Sequence, residues 1–286
     1  MNKLYLLGSG VPTPTKTRFG TSCVLEIAGD FLMFDCGPAA TYKLVKAGLW
    51  PTQVEHLFFT HHHFDHNVDY PCFLLCRWDQ STGKEKTLKV WGPPPTKQIT
   101  DRLTGEKGAF VDDWKARVGS PCSQAVHRNR GGSLPRPEPR FEVADVGPGL
   151  VVETQTWKVT AAPALHMQPW LESLAYRVDA DGLSVLFAGD TGPCESLTRL
   201  AAGCGVFVAN CWDDQDEMNA NGEAPGQTGT RDAANMAKEA GAKKLVLIHT
   251  GARLCSPKFR RKGLADITHI YEGEVIFGKE LMTLDL

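Results

Sequence analysis

Six consecutive residues, His61-His62-His63-Phe64-Asp65-His66, carry four imidazoles and one carboxylate. Neutral imidazole nitrogens and carboxylate oxygens are the ligands that borderline cations such as Zn²⁺ take, so the cluster predicts a metal site. His61 and His63 lie two apart and point to the same side of an extended segment. Asp65 and His66 follow a turn that can face a second ion. A catalytic metal draws ligands from several places, and four further candidates stand where an apolar run ends. Asp35 closes Phe31-Leu32-Met33-Phe34, and His166 follows Val159–Leu165. Asp190 follows Leu183–Gly189, and His249 follows Lys244–Ile248. Placing such side chains where buried strands leave the core mounts a site on one edge of a β scaffold.

The elements that must hold these residues read as alternating strands and helices. Leu4–Leu7, Ser22–Ile27 and Phe31–Phe34 are short apolar runs bounded by Gly, Pro and Asp, the pattern of strands. Gly8-Ser9-Gly10 reads as a turn, since it lacks the third glycine of a dinucleotide fingerprint and the Gly-Lys-Ser/Thr of a P-loop. Residues 39–48 read as a helix with Ala39, Tyr42, Leu44 and Val45 on one face. A strand, Val54–Phe59, leads into the histidine cluster. Strands are also expected at Val151–Thr154, Trp157–Ala161, Leu183–Ala188, Val206–Ala209 and Lys244–Ile248. Residues 231–241 form an amphipathic helix through Ala233, Met236, Ala237 and Ala240, stopped by Gly241. Residues 76–150, rich in Pro and Gly, read as an irregular insertion or lid that buries Trp91, Phe110, Trp114 and Phe141. The class is α/β with mixed pairing, in one domain spanning 1–286.

Composition narrows the function. The chain has 286 residues, 42% hydrophobic and 22% charged, with a formal net charge of −2. That excludes a disordered chain, a collagen-like repeat and a wholly basic nucleic-acid binder. No apolar run approaches the roughly 20 residues that span a bilayer, and no signal peptide is apparent, so a cytoplasmic protein is expected. Nine cysteines without a CxxC pair fit reduced thiols. Cys72 and Cys76 share a helical face and read as buried free thiols.

The set His61-x-His63-x-Asp65-His66, His166, Asp190 and His249 resembles the metallo-β-lactamase superfamily of binuclear metallohydrolases, over nearly the whole chain. Leu6-Leu7-Gly8-Ser9-Gly10-Val11-Pro12, Phe34-Asp35-Cys36-Gly37, Ser173–Arg177 and Tyr271-Glu272-Gly273-Glu274-Val275 resemble the branch of ribonuclease Z and the zinc-dependent arylsulfatases. The resemblance implies an αβ/βα four-layer sandwich. It implies two divalent ions, Zn²⁺ first, with Mn²⁺ or Fe²⁺ as alternatives. His61, His63 and His166 would hold one, and Asp65, His66 and His249 the other. Asp190 would bridge both, and Asp35 would orient the histidine loop. A metal-bridging hydroxide would attack the ester, with Asp65 and Asp190 as the catalytic carboxylates.

Two departures from ribonuclease Z bear on substrate. Only 23 residues separate His166 from Asp190, too few for a tRNA-gripping arm. Gln227, in Gly226-Gln227-Thr228-Gly229, stands where the family's protonating histidine is expected, and glutamine cannot act as an acid. The expected substrate is therefore a small anionic ester, a phosphodiester or an aryl sulfate. Precursor tRNA is the alternative and nucleic acid the less favoured partner, with lactone or β-lactam hydrolysis third. Arg253, near His249, is the candidate for gripping the anion. The basic runs Arg253–Lys262 and Lys115–Arg140 could form anion-binding patches, and Trp170 and Trp212 could wall the pocket. A homodimer is expected, because Tyr70, Phe73, Leu74 and Leu75 in near succession exceed what one helix face buries.

Overall fold

The computed structural model describes residues 2–286. One seven-stranded sheet contains β1 (Lys3–Ser9), β2 (Thr21–Ile27), β3 (Asp30–Phe34), β4 (Val54–Phe58), β5 (Lys89–Gly92) and β6 (Glu142–Asp145). The other, also of seven strands, contains β7 (Gly149–Glu153), β8 (Trp157–Pro163), β9 (Leu174–Ala180), β10 (Leu183–Phe187), β11 (Val206–Asn210), β12 (Lys244–Ile248) and β13 (Glu274–Phe277). The last strand, β14 (Met282–Asp285), returns to pair with β1, giving the order β14-β1-β2-β3-β4-β5-β6. The second sheet runs β13-β12-β11-β10-β9-β8-β7.

Period-two alternation divides each central strand between two cores. Leu4 and Leu6 of β1, with Cys23, Leu25 and Ile27 of β2, point between the sheets and meet Val159, Tyr176, Val185 and Val208. Tyr5, Leu7 and Val24 point outward, onto the helices Ala40–Lys46 and Tyr70–Gln80. On the far side, Ala233, Ala234, Met236, Ala237 and Ala240 lay the helix Thr230–Ala240 on β11 and β12. Gly241, at φ +65°, ends that helix in the left-handed region, as the pattern predicts. The result is helix, sheet, sheet, helix.

Three expectations are corrected. Residues 76–150 are not an irregular lid. They hold the end of the helix Tyr70–Gln80, the parallel strands β5 and β6, three helices between those strands, and the start of β7. Secondly, the helix at 40–46 buries Ala40, Thr41 and Leu44, and leaves Tyr42 65% and Val45 37% exposed. Thirdly, Tyr70, Phe73 and Leu74 are all buried within the chain, because positions 70, 73, 74, 77 and 78 follow one helical stripe. They leave no apolar excess to argue for a partner.

Candidate metal centre

The site lies where the strands of both sheets end. β3 and β4 are parallel, as are β10, β11 and β12, so their C-terminal ends share an edge. Asp35 follows β3, the histidine loop follows β4, Asp190 follows β10, and His249 follows β12. His166 leaves β8, two antiparallel steps from β10 and so running the same way. Asp35 and His249 sit at φ +59° and +51°, turns that redirect each side chain off its strand.

Hydrogen bonds select the tautomers. Thr60 Oγ1 donates to Asp35 Oδ2 at 2.8 Å and accepts from His61 Nδ1 at 3.0 Å. His66 Nδ1 donates to the same Asp35 oxygen at 2.8 Å, and His166 Nδ1 to the Gly226 carbonyl at 2.8 Å. Each of these rings therefore turns its Nε2 inward, toward the others. Gly226 is required here, since it has φ +74° and an added Cβ would lie 2.5 Å from the His166 carbonyl oxygen.

The inward atoms form two groups, His61, His63, His166 and Asp190, and Asp65, His66 and His249. His63 Nδ1 lies 3.0 Å from His61 Nε2 and 3.2 Å from His166 Nε2. Those spacings fit the edge of a tetrahedron of nitrogens about 2 Å from a shared ion. Asp190 Oδ2 lies 4.0 Å from His61 Nε2, 3.8 Å from His166 Nε2 and 3.1 Å from His249 Nε2. Its Oδ1 faces His66 Nε2 at 3.5 Å without a hydrogen bond, so the Asp190 carboxylate reaches both groups. Asp65 Oδ2 lies 3.3 Å from His249 Nε2 and 3.7 Å from His66 Nε2. His66 Nε2, Asp190 Oδ1 and His249 Nδ1 are buried polar atoms with no hydrogen-bond partner. For His66 and Asp190, a cation between them removes that cost. The donor set fits divalent metal.

The charges agree. Burial, helped by nearby His66, holds His61 well below the usual imidazole range, in its ligating neutral form. Burial and His166 lower His63 likewise. Burial opposes charge on Asp190, yet His249 and His66 outweigh it and keep the carboxyl ionised. At His66 burial is again outweighed, by Asp190 and Asp35, so binding a metal there must displace a proton.

The remaining predicted residues are scattered. Gln227 is half-buried, and its Oε1 accepts from Asn210 Nδ2 at 3.4 Å at the end of β11. Trp212 lies beside the His249 ring, centroids 5.9 Å apart and the planes tilted by 33°. Trp170 is 85% exposed, on the loop that follows His166. Arg253 is not free to grip an anion, since Asp213 at 3.2 Å and Glu217 at 3.0 Å hold its guanidinium. Part of each basic run is engaged in the same way, while Lys115, Arg128, Arg140, Lys258, Arg260 and Arg261 make no ion pair among the described residues. Lys262 pairs with Asp214, Asp216 and Asp266, while Arg117, Arg130 and Arg136 converge on Asp79. Sequence reasoning missed Thr60, although its place between Phe59 and the cluster was the available signal. It also missed Asn210, which ends a strand at the same edge.

A family model described as a beta-lactamase superfamily domain matches residues 31–250. The chain belongs to the metallo-β-lactamase superfamily. Within it the chain is ribonuclease Z-like: it is 31% identical over 259 residues to ribonuclease Z of Mycobacterium sp. (strain KMS), covering 87% of this chain and 84% of that one. The fold superposes on a metallo-beta-lactamase fold protein, YhfI, of Bacillus subtilis with TM-score 0.73 at 16% identity, covering 99% and 98%. It superposes on the short form of human tRNase Z with TM-score 0.69 at 20% identity, with the same coverage. The chain is a metal-dependent hydrolase. No helix among the described residues is long and apolar enough to cross a membrane.

Proposed function

We propose that this hydrolase is a phosphodiesterase of the ribonuclease Z kind, with RNA as its substrate class and two Zn²⁺ ions per chain. One observation carries the reading: the two ligand groups converge, joined through Asp190, in a chain 31% identical to proteins named ribonuclease Z. His61, His63 and His166 would hold one ion and Asp65, His66 and His249 the other, with Asp190 within reach of both. Divalent ions so held lower the pKa of water and neutralise charge developing on a phosphodiester. Asp35 and Thr60 fix the histidine tautomers. Asp65 accepts the proton that the attacking water gives up. Gln227, steadied by Asn210, offers its amide N–H to the leaving oxygen without protonating it.

Two observations favour a second reading, in which the substrate is a small phosphodiester or aryl sulfate. β8 and β9 are joined directly by residues 164–173, leaving no arm between His166 and Asp190, and Arg253, Lys262, Arg117, Arg130 and Arg136 are held by internal ion pairs. Purified protein assayed against precursor tRNA with a 3′ trailer, a chromogenic phosphodiester, an aryl sulfate and a lactone separates the readings. Cleavage at the tRNA 3′ end supports the first. Turnover of the small phosphodiester with intact tRNA supports the second. Lactone turnover without either phosphodiester overturns both.

A further inference from the structure

We propose that Cys72 and Cys76 form a peroxide-reactive dithiol whose closure to a reversible disulfide loosens the metal centre. Their sulfurs lie 3.9 Å apart on the helix Tyr70–Gln80. The pair is not buried as expected: Cys72 is exposed and Cys76 partly so. Both open onto a cavity of about 500 Å³ lined also by Leu75, Phe110, Asp113 and Arg117. A thiol hydrogen bond from Cys76 outweighs partial burial and brings Cys72 to about 7, so the exposed sulfur is the nucleophile. Cys194 and Cys255 have hydroxyl neighbours in place of a second thiol.

The chemistry balances with a hydroperoxide as oxidant. The Cys72 thiolate attacks the terminal peroxide oxygen and the O–O bond breaks. The released alkoxide or hydroxide takes a proton, and Cys72 becomes a sulfenic acid. The Cys76 sulfur then attacks the Cys72 sulfur, the S–O bond breaks, and water leaves with the Cys76 proton. Two thiols lose two electrons, and the peroxide gains them.

Closure must deform the helix. Residues four apart hold their Cβ atoms about 5–6 Å apart, whereas a disulfide needs about 3.8 Å. The C-terminal half cannot yield. Arg77 donates to the Val54 and Lys86 carbonyls at 3.0 and 2.7 Å, and Trp78 Nε1 to the Pro137 carbonyl at 3.0 Å. Movement falls on the N-terminal turn, which begins one residue after Asp69. Asp69 N–H donates to the Cys36 carbonyl at 3.1 Å, and Cys36 N–H to the His66 carbonyl at 2.6 Å. The displaced turn therefore pulls on a metal ligand. A strained disulfide of this kind is also readily reduced.

Trypsin releases both thiols in one peptide, residues 47–77, which contains no other cysteine. After stoichiometric hydrogen peroxide, that peptide should be lighter by two hydrogens and regain them with dithiothreitol. Metal affinity, read by chelator competition and so independent of the substrate assigned above, should fall about tenfold with the same time course. Cys72→Ser should abolish both effects, and Cys76→Ser should leave Cys72 as a sulfenic acid that dimedone labels. A peptide that keeps both thiols while Cys122 oxidises overturns the proposal. So does a disulfide that forms with metal affinity unchanged.

Discussion

Asp35 shows how much of the candidate site rests on a residue outside both groups of inward-facing ligand atoms. Its Oδ2 accepts hydrogen bonds from Thr60 Oγ1 and His66 Nδ1, and its Oδ1 accepts the Thr60 N–H at 2.8 Å. Asp35→Ala frees two histidines to change tautomer, so metal affinity should drop about 10–100-fold with the fold retained. Competition with a chromogenic chelator measures this, and unchanged affinity would remove Asp35 from the site. Gln227 allows a gain-of-function test. Gln227→His supplies a proton donor and should raise kcat on esters with poor leaving groups by about 10²-fold or more, adding a basic limb to the pH–rate profile. Activated aryl esters should be indifferent. The residues that converge were legible because four crowd into one six-residue cluster and His166, Asp190 and His249 each follow an apolar run. The fate of Arg253 was not, because its partners Asp213 and Glu217 come from a separate segment that only folding brings near.

At the scale of elements, legibility followed apolar periodicity. The helix Thr230–Ala240 buries alanines and a methionine at helical spacing and was readable. The helix Thr96–Thr104 buries Thr96, Thr100 and Thr104, whose hydroxyls bond back to the preceding turn, so its buried face looks polar. β5 and β6 have four residues each, too short to display alternation, and residues 76–150 read as irregular for that reason. Phe73, in the outer core, should cost about 3–5 kcal/mol when cut to Ala, measured by denaturant unfolding. An aspartate there would unfold the chain before it reported on a dimer. His56 on β4 accepts from Trp91 Nε1 at 3.3 Å, and burial, aided by Lys89, lowers its pKa to about 4. The unfolded imidazole protonates near pH ~6.5. Its stabilising contribution is therefore complete above that pH and is lost as pH falls toward 4, by at most about 3 kcal/mol. His56→Gln should flatten this limb of the stability curve, and an unaltered limb would place the acid sensitivity elsewhere.

For the whole molecule, two sheets matter because neither alone can assemble the site. The first contributes the histidine loop and Asp35, the second His166, Asp190 and His249, and the Leu174 N–H to Thr60 carbonyl bond at 2.8 Å ties the edges together. Assembly is a separate question. We expect a homodimer through the surface formed by the helix Ala40–Lys46 and the turn after it, where Tyr42 and Trp50 are 65% and 55% exposed. Light scattering should show Tyr42→Asp as a monomer, and a wild-type monomer across micromolar concentrations would end that expectation. The central claim is a pair of divalent ions, joined through Asp190, that drives phosphodiester hydrolysis. Its most direct test is to strip the protein with chelator and titrate Zn²⁺ while following turnover of a chromogenic phosphodiester. The account predicts that activity climbs to a plateau at two ions per chain, and that Asp190→Ala never reaches it. Full activity at one ion, or in the Asp190→Ala protein, would contradict it.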